Sequence, residues 1–475
     1  MRVTVDHSTG NGFSPEHEAR RSVSGFLDKL RARASGAGGD EQARSMSLIA
    51  FAIRIVSAGI AFLAQIFLAR LMGPFEYGIF VFVWVMAVIA GNLSCLGFHT
   101  AIIRFLPQYQ ASGQIEEIRG LTVATRVVSF AIASLVAMIG VAMLYLFANQ
   151  VPVYYLAPLI LGAVLLPMIA LGDAMDGTAR ANSWVTQALT PTYLVRPVLI
   201  PVFMVAAIAL GFDATAQTGM LAAIIATYLT TAGQLLLLGR RLRDRFDSGR
   251  HTYHLASWGK VALPIFLIEG FYFLLTNSDV VMVGLFLQPE DVATYFAAAK
   301  SIALVHFVYF AVKAGMSPRF SKLVAQGEQA ELSRFASMAA RWTFVPSLVV
   351  GGAVLLAGPL LLSLFGPDYS AGYTVMFILF AGIAVKALVG PGEALLTMAG
   401  EQKICAMIYL AVLLVNVAGN IVLIPQYGIN GAAAATMLAM VAEALLLFVI
   451  IRSRLGISMH VLSHLQTRWT EREAD

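Results

Sequence analysis

Charge is what this chain has least of: Asp, Glu, Lys and Arg make up 12% of it, against about a quarter in a soluble protein. Hydrophobic residues make up 59%, and the mean hydropathy is +0.77. So little charge cannot cover a water-facing surface, which excludes a soluble globular protein and implies one that lives in lipid. Cysteine is nearly missing as well. Cys95 and Cys405 stand apart within apolar runs, so no disulfide framework or CxxC metal pattern exists, and both are read as buried thiols. There is no GxxxxGK[ST], hence no P-loop ATP hydrolysis, and no HExxH, GxSxG or glycine-rich dinucleotide turn. No residue is read as catalytic, no metal site is expected, and the chain is taken as a non-enzyme. The formal charge of +5 is not a nucleic-acid signal, because the basic residues gather in loops on one side of the membrane.

What is present is a repeated apolar pattern. It predicts an all-α integral membrane protein with twelve crossings, at about 48–70, 79–103, 121–148, 152–172, 190–211, 218–239, 258–287, 291–313, 339–364, 374–399, 403–424 and 429–452. Six turns fall on one side: 71–78, 149–151, 212–217, 288–290, 365–373 and 425–428. They hold no lysine or arginine, but do hold Glu76, Asp213, Glu290 and Asp368. The opposite loops carry Arg104, Arg119 and Arg180, then Arg240, Arg241, Arg243, Arg245 and Arg250, then Arg319, Lys322, Arg334, Lys403, Arg452 and Arg454. The positive-inside rule puts that side, and with it both termini, in the cytoplasm. Outer loops of about ten residues or fewer leave no room for a catalytic domain, which favours transport.

The boundaries follow from this layout. Residues 1–45 form a polar tail with no apolar core, which is no signal peptide. Phe26, Leu27 and Leu30 with Lys29, Arg31 and Arg33 give it the pattern of a short amphipathic helix on anionic lipid; a disordered tail is the alternative, and Met46 an alternative start. Residues 46–239 and 258–454 are read as two six-helix lobes joined by a cytoplasmic linker, 240–257, with a second cytoplasmic tail at 455–475. An internal repeat supports the split. At an offset of about 215, Pro74, Glu76, Phe80, Arg104 and Phe105 fall on Pro289, Asp291, Tyr295, Arg319 and Phe320. At about 212, Gly219, Ala222, Ala223, Ala232, Leu235 and Arg240 fall on Gly431, Ala434, Ala435, Ala444, Leu447 and Arg452. Lobes of equal topology relate by an axis along the membrane normal, with a cavity between them.

The chain is organised around 65–109. There an apolar run ends at Arg70-Leu71-Met72-Gly73-Pro74-Phe75-Glu76-Tyr77-Gly78 and a second begins at once, stopping at Arg104-Phe105-Leu106-Pro107. Proline cannot continue the first helix but can start the next, so Gly73-Pro74 forces a hairpin between two membrane helices.

Ionisable groups inside apolar helices cost about 2.5–3.5 kcal/mol each on insertion scales, so each asks for a reason. Arg54 and Gln65 fall on one face of the first span with Ala58 and Ala61 between them. Arg196, between bends at Pro197 and Pro201, sits at similar depth, and two guanidiniums there suit a pyrophosphate; snorkelling is the alternative for Arg54. In the seventh span Glu269, Tyr272, Thr276 and Asp279 fall within an arc of about 80°, a candidate Na⁺ or proton site; pairing of each acid with a base such as Lys300 is the alternative. Lys386 and Glu393 flank a break at Gly390-Pro391-Gly392. His306, Tyr309 and Lys313 share a face, as do Asn92 with His99 and Asn416 with Asn420, the last two pairs explained by interhelical hydrogen bonds. Glu443 has no evident partner.

The stretch Leu68-Ala69-Arg70-Leu71-Met72-Gly73-Pro74-Phe75-Glu76-Tyr77-Gly78-Ile79-Phe80, with its exit at Arg104-Phe105-Leu106-Pro107-Gln108-Tyr109, resembles the polysaccharide transporter branch of the MOP exporter superfamily, the flippases for lipid-linked oligosaccharides. Met72 replaces the family's usual leucine. The likeness is specific in the first two helices and architectural elsewhere. It implies movement of an undecaprenyl-pyrophosphate-linked oligosaccharide from the cytoplasmic to the periplasmic leaflet of a bacterial inner membrane. The lipid tail would stay in hydrocarbon while the head crosses a cationic cavity. Arg54, Arg196, Lys300 and Lys386, with Gln65, would be its lining. The substrate, membrane lipids, and a polymerase and chain-length regulator of the same pathway are the implied partners. No cofactor is implied beyond a possible coupling ion, Na⁺ or H⁺. Glu269, Asp279 and Glu393 depart from a purely cationic lining and favour such coupling. Arg70, Gly73, Pro74, Glu76, Tyr77, Gly78 and Arg104 are read as fold-determining or gate residues.

Three other readings stay open. A drug or metabolite antiporter of the MATE branch has the same helices and lobes, but the hairpin motif and the intramembrane cations speak against it. A lipid II flippase would carry two further helices. An O-antigen polymerase or ligase would need a large periplasmic loop that is missing here.

Overall fold

The computed structural model describes the backbone of residues 39–461 and the side chains of residues 53–461. The amphipathic pattern around Phe26, Leu27 and Leu30 lies outside the described residues, as does the end of the C-terminal tail. The chain forms two compact units, Met1–Ile55 and Val56–Asp475; of the first, the helix from Gly39 is described, and the account below concerns the second.

The helices are α1 (Gly39–Leu93), α2 (Phe98–Ala111), α3 (Ile115–Leu146), α4 (Val153–Ala181), α5 (Val185–Leu189), α6 (Arg196–Ala209), α7 (Ala216–Arg245) and α8 (Leu255–Leu275). They continue as α9 (Ser278–Phe286), α10 (Pro289–Ile302), α11 (His306–Gln326), α12 (Gln329–Leu356), α13 (Gly358–Phe365), α14 (Gly372–Val389), α15 (Gly392–Met398) and α16 (Gln402–Leu455). Among the described residues there is no strand. Among the described residues, ten helical stretches are long and apolar enough to cross a membrane. Side chains such as Leu146, Val153, Leu210 and Leu356 stand exposed, a surface that water would not tolerate and acyl chains do.

The two longest helices are each broken at a glycine. Gly73 takes φ 73 and ψ 170 inside α1, and Gly428 takes φ 58 and ψ −136 inside α16. The first break is the expected hairpin turn. The expected twelve crossings are reached if each broken helix crosses once on either side of its glycine.

Several expected helices are also interrupted within their spans. The predicted 79–103 segment stops at Leu93 and resumes at Phe98, with Leu96 and Gly97 at positive φ. The predicted 258–287 segment divides at Thr276-Asn277. There Thr276 Oγ1 donates to the carbonyls of Tyr272 and Phe273, both at 3.1 Å, and Asn277 Nδ2 donates to Phe273 at 2.9 Å. Side chains that occupy helix carbonyls in this way compete with the next helical turn. Before α6, residues Thr190–Val195 form a π-helical turn that delivers Arg196 to the start of α6.

One end of the bundle gathers the turns that lack arginine. Ala216 N, at the start of α7, donates to Glu76 Oε2 at 2.6 Å, and Phe75 packs edge-on to Tyr154 at 5.2 Å. Gly78 meets the backbone of Pro289. The opposite end gathers arginine-bearing segments: Gln110 Nε2 donates to Asn182 Oδ1 at 2.9 Å, Trp258 Nε1 to Tyr109 Oη at 3.0 Å, and Arg319 pairs with Glu331 at 2.7 Å. The alternation of ends follows the turn pattern read from the sequence.

Candidate substrate cavity

Between α1, α6 and the α8–α11 helices lies a cavity in two adjoining compartments. The first, about 420 Å³, is lined by Ala58, Ala61, Gln65, Trp84, Tyr193 and Arg196 on one side and by Asn277, Phe296, Lys300 and Phe307 on the other. The second, about 300 Å³, is lined by Tyr272, Thr276, His306, Tyr309, Lys386, Thr436 and Glu443. Val85, Asn277, Phe296, Lys300 and Ala303 belong to both walls.

Cations line the space and most acids stand behind them. Arg196 is 6% exposed, with a buried Nε that has no hydrogen-bond partner among the described residues, and Asp173 lies within electrostatic reach of it. Lys300 is open to the cavity, sits 5.0 Å from the centre of the Phe296 ring, and has Asp279 within electrostatic reach. Lys386 is held by Glu443, with Nζ at 2.8 and 2.9 Å from its two carboxylate oxygens. That pair supplies the partner for Glu443 that the sequence does not reveal, and it neutralises Lys386.

The structure separates the four residues expected on one face of the seventh span. Glu269 turns to the first half, where its Oε2 accepts from Thr100 Oγ1 at 2.8 Å and lies 3.6 Å from His99 Nε2. Asp279, beyond the Thr276-Asn277 break, accepts from Tyr295 Oη at 2.8 Å and from Val280 N at 2.9 Å. Tyr272 and Thr276 line the second compartment, while the two acids line neither. The expected four-ligand arc is therefore not formed, because the helix does not run straight through it. Glu393 forms its ion pair with Lys313, at 3.0 Å, and accepts a hydrogen bond from Tyr309, with Lys386 within electrostatic reach. Asn92 donates to Asp173 at 3.1 Å, and Asn416 to Thr436 at 3.3 Å.

Of the expected lining, Gln65, Arg196 and Lys300 meet in the first compartment, with Lys386 next door. Arg54 falls in the other unit, Met1–Ile55, as an exposed helical residue. Asp173 and Asp176 are not among the residues expected from the sequence, although acids in an apolar run are themselves the signal. Asp176 pairs with Arg180 at 2.6 Å.

The hairpin residues serve as helix caps and a hinge of contacts. Arg70 donates through Nε to Leu364 O at 2.7 Å and through Nη2 to Ser363 O at 2.5 Å, placing a cation on the last carbonyls of α13. Glu76 places an anion on the first amides of α7. Tyr77, fully buried, donates to Gln65 Oε1 at 2.8 Å. Tyr295 and Asp279 repeat that device in the second half: a tyrosine after the turn donates to a polar side chain before it. Arg104 lies exposed on α2, at the other end. Cys95 and Cys405 are buried free thiols, as expected.

The Lys386–Glu443 pair carries a stability prediction. Lys386→Met leaves the carboxylate of Glu443, 2% exposed, without its counter-ion, and is expected to cost about 3–5 kcal/mol in detergent unfolding. Lys386→Met with Glu443→Leu should recover most of that loss; equal destabilisation of single and double variants would show the pair to be energetically idle.

The family model described as "Polysaccharide biosynthesis protein" matches residues 45–324, more than half of the chain, and the model MatE matches residues 264–422. Among curated proteins, the uncharacterized transporter YisQ of Bacillus subtilis (strain 168) is 23% identical over 209 residues; the match covers 41% of this chain and 45% of that relative's length. Among solved structures, a multidrug resistance MATE family transporter of the MOP superfamily in an inward-facing conformation superposes with a TM-score of 0.67 at 17% identity, covering 86% of this chain and 98% of that one. The lipid II flippase MurJ in an inward closed conformation gives 0.64 at 13% identity, over 85% and 87%. A MOP superfamily transporter from Pyrococcus furiosus gives 0.60 at 15% identity, over 86% and 94%. The fold of this bundle is that of the MOP superfamily.

Proposed function

As this chain belongs to the polysaccharide biosynthesis protein family, we propose that it flips an undecaprenyl-pyrophosphate-linked oligosaccharide across the bacterial inner membrane, from the cytoplasmic to the periplasmic leaflet. The observation that carries this reading is the meeting of Arg196, Lys300 and Gln65 in one compartment. A guanidinium and an ammonium suit a pyrophosphate, and a side-chain amide suits a sugar hydroxyl. Pro197 lines both this compartment and an apolar groove of about 510 Å³ between α1 and α6, whose walls include Ile60, Leu63, Phe67 and Val198. A prenyl tail has a place in that groove while its head occupies the cavity.

The arginine-rich end is assigned to the cytoplasm by the positive-inside rule, so the hairpin end faces the periplasm. In the described state the hairpin end is closed by Gly78 against Pro289 and by Arg70 on α13. Alternating access then consists of parting these contacts and rejoining the halves beyond the cavity. With no P-loop in the sequence, the driving force falls to an Na⁺ or H⁺ gradient or to the substrate gradient. Asp279, which accepts from Tyr295 and lies within electrostatic reach of Lys300, would be the acid that exchanges such an ion. A polymerase and chain-length regulator would act on the delivered units.

The match of residues 264–422 to MatE favours a second reading, a cation-coupled antiporter. Deleting the gene separates the two. The flippase reading expects lipid-linked oligosaccharide to accumulate on the cytoplasmic leaflet and surface polysaccharide to be lost, both restored by complementation. Intact polysaccharide with altered drug susceptibility would sink it in favour of the antiporter.

A further inference from the structure

The arginine-rich end holds a second pocket, lined by none of the cavity residues. It lies between α3, the end of α7 and the segment after α7, has a volume of about 410 Å³, and its charged lining is Arg119, Arg126, Arg243, His251 and Asp247. Arg119 and Arg126 are seven residues apart and so share a face of α3. The segment after α7 is strapped onto that face. Thr252 N donates to Glu116 O and Thr252 Oγ1 to Glu116 Oε2, both at 3.1 Å. Gly120 lies so close beneath that a Cβ there would come within 1.9 Å of Thr252 O. The pocket wall is thus built by backbone contact, not draped over the helix.

Neighbouring arginines are occupied elsewhere. Arg241 stacks on Trp184 at 4.4 Å, and Arg245 donates to Asn182 at 3.4 Å. Arg119 uses Nη1 on the carbonyl of Arg250 at 3.2 Å. What remains is aimed at nothing in the chain: Nε of Arg119, and Nε and Nη2 of Arg126, are buried with no hydrogen-bond partner among the described residues. Buried guanidinium N–H groups are rarely left in that condition. Three guanidiniums converge on one pocket against a single carboxylate, Asp247, so an anion with several acceptor oxygens completes the set.

We propose that this pocket binds a phosphate group, as a site separate from the transport cavity. Its source is either an acidic phospholipid headgroup at the membrane surface or a soluble phosphate. A bound phosphate would clamp α3 to the segment that joins the two halves of the chain.

The test uses the full chain, delipidated in detergent, with Arg126→Gln, Arg243→Gln and, as a control outside the pocket, Arg241→Gln. Native mass spectrometry would compare retention of phosphatidylglycerol and phosphatidylcholine; thermal unfolding would follow titration with inorganic phosphate at constant ionic strength. If the source is lipid, the wild type retains phosphatidylglycerol preferentially, the two pocket variants bind it at least about tenfold more weakly, and Arg241→Gln does not. If the source is soluble, phosphate raises the unfolding temperature of the wild type and of Arg241→Gln only. Equal lipid retention by all four proteins together with no specific phosphate response overturns the site. Should Arg126→Gln fail to fold, Arg243→Gln decides, since Arg243 is exposed at the end of α7.

Discussion

Replacing Arg196 with alanine is expected to stop delivery of lipid-linked oligosaccharide to the outer leaflet while leaving a folded protein in the membrane. The side chain is placed at some structural expense. A π-helical turn precedes it, Pro197 follows it, and its buried Nε has no hydrogen-bond partner among the described residues. A group held in that way is preorganised for a ligand that supplies the missing acceptor. Hydrogen bonds to a charged group contribute about 1.5–3 kcal/mol each, so losing a bidentate contact to a pyrophosphate lowers transport by roughly 100-fold or more. Arg196→Lys keeps the charge but not the fork and should recover only a minor part. Lys300→Ala should have a smaller effect, because an ammonium makes a point contact. Leaflet-resolved detection of the accumulated lipid gives the readout, and detergent thermal unfolding separates loss of function from loss of fold. Transport by Arg196→Ala within twofold of wild type would remove the first compartment from the route.

How much of this was legible in the sequence depends on the range over which each feature is decided. The hairpin was legible because Gly73-Pro74 interrupts two apolar runs by backbone chemistry alone. The grouping of Gln65, Arg196 and Lys300 came from the family resemblance, which implies a cationic cavity; the rule that a charge in an apolar helix faces the interior agrees with it for Arg196 and Lys300. Pairings were not legible. Lys386 finds Glu443 across 57 residues, and Glu393 finds Lys313 across the α11–α15 contact, choices made by helix packing that no local spacing encodes. The acid arc failed for a local reason that was visible. Thr276 and Asn277 are adjacent side chains that bond to helix carbonyls, and the helix ends there, so the geometry of a straight helix does not apply. Asp173, an acid in an apolar run, carries the same signal in the sequence as Asp279.

Gly78→Ala is expected to open the hairpin end, which makes it the sharpest probe of the gate. A Cβ at Gly78 would lie 1.7 Å from the carbonyl oxygen of Pro289 and 2.4 Å from its carbon. Neither atom belongs to a flexible side chain, so relief requires one hairpin to move away from the other. Contacts that depend on the same approach go with it: Tyr77 against Phe296, and Arg70 on the carbonyls of Ser363 and Leu364. Overpacking typically costs about 1–3 kcal/mol, and the middle of that range, about 2 kcal/mol, shifts a closed and an open state by about 30-fold against closure. Gly73, five residues earlier, supplies the control. A Cβ there meets nothing within 4 Å, but its φ of 73 with ψ of 170 belongs to glycine, so Gly73→Ala costs about 1–3 kcal/mol by backbone strain without a clash across the halves. Both variants should lose stability, and only Gly78→Ala should lose closure. A cysteine placed at Ala61, in the lining of the first compartment, reports closure through labelling by a membrane-impermeant maleimide from outside, and the two native thiols are buried. At least tenfold faster labelling in Gly78→Ala, with wild-type labelling in Gly73→Ala, is the expected result. Equal labelling in all three would mean that the Gly78–Pro289 contact packs the hairpins without gating the cavity.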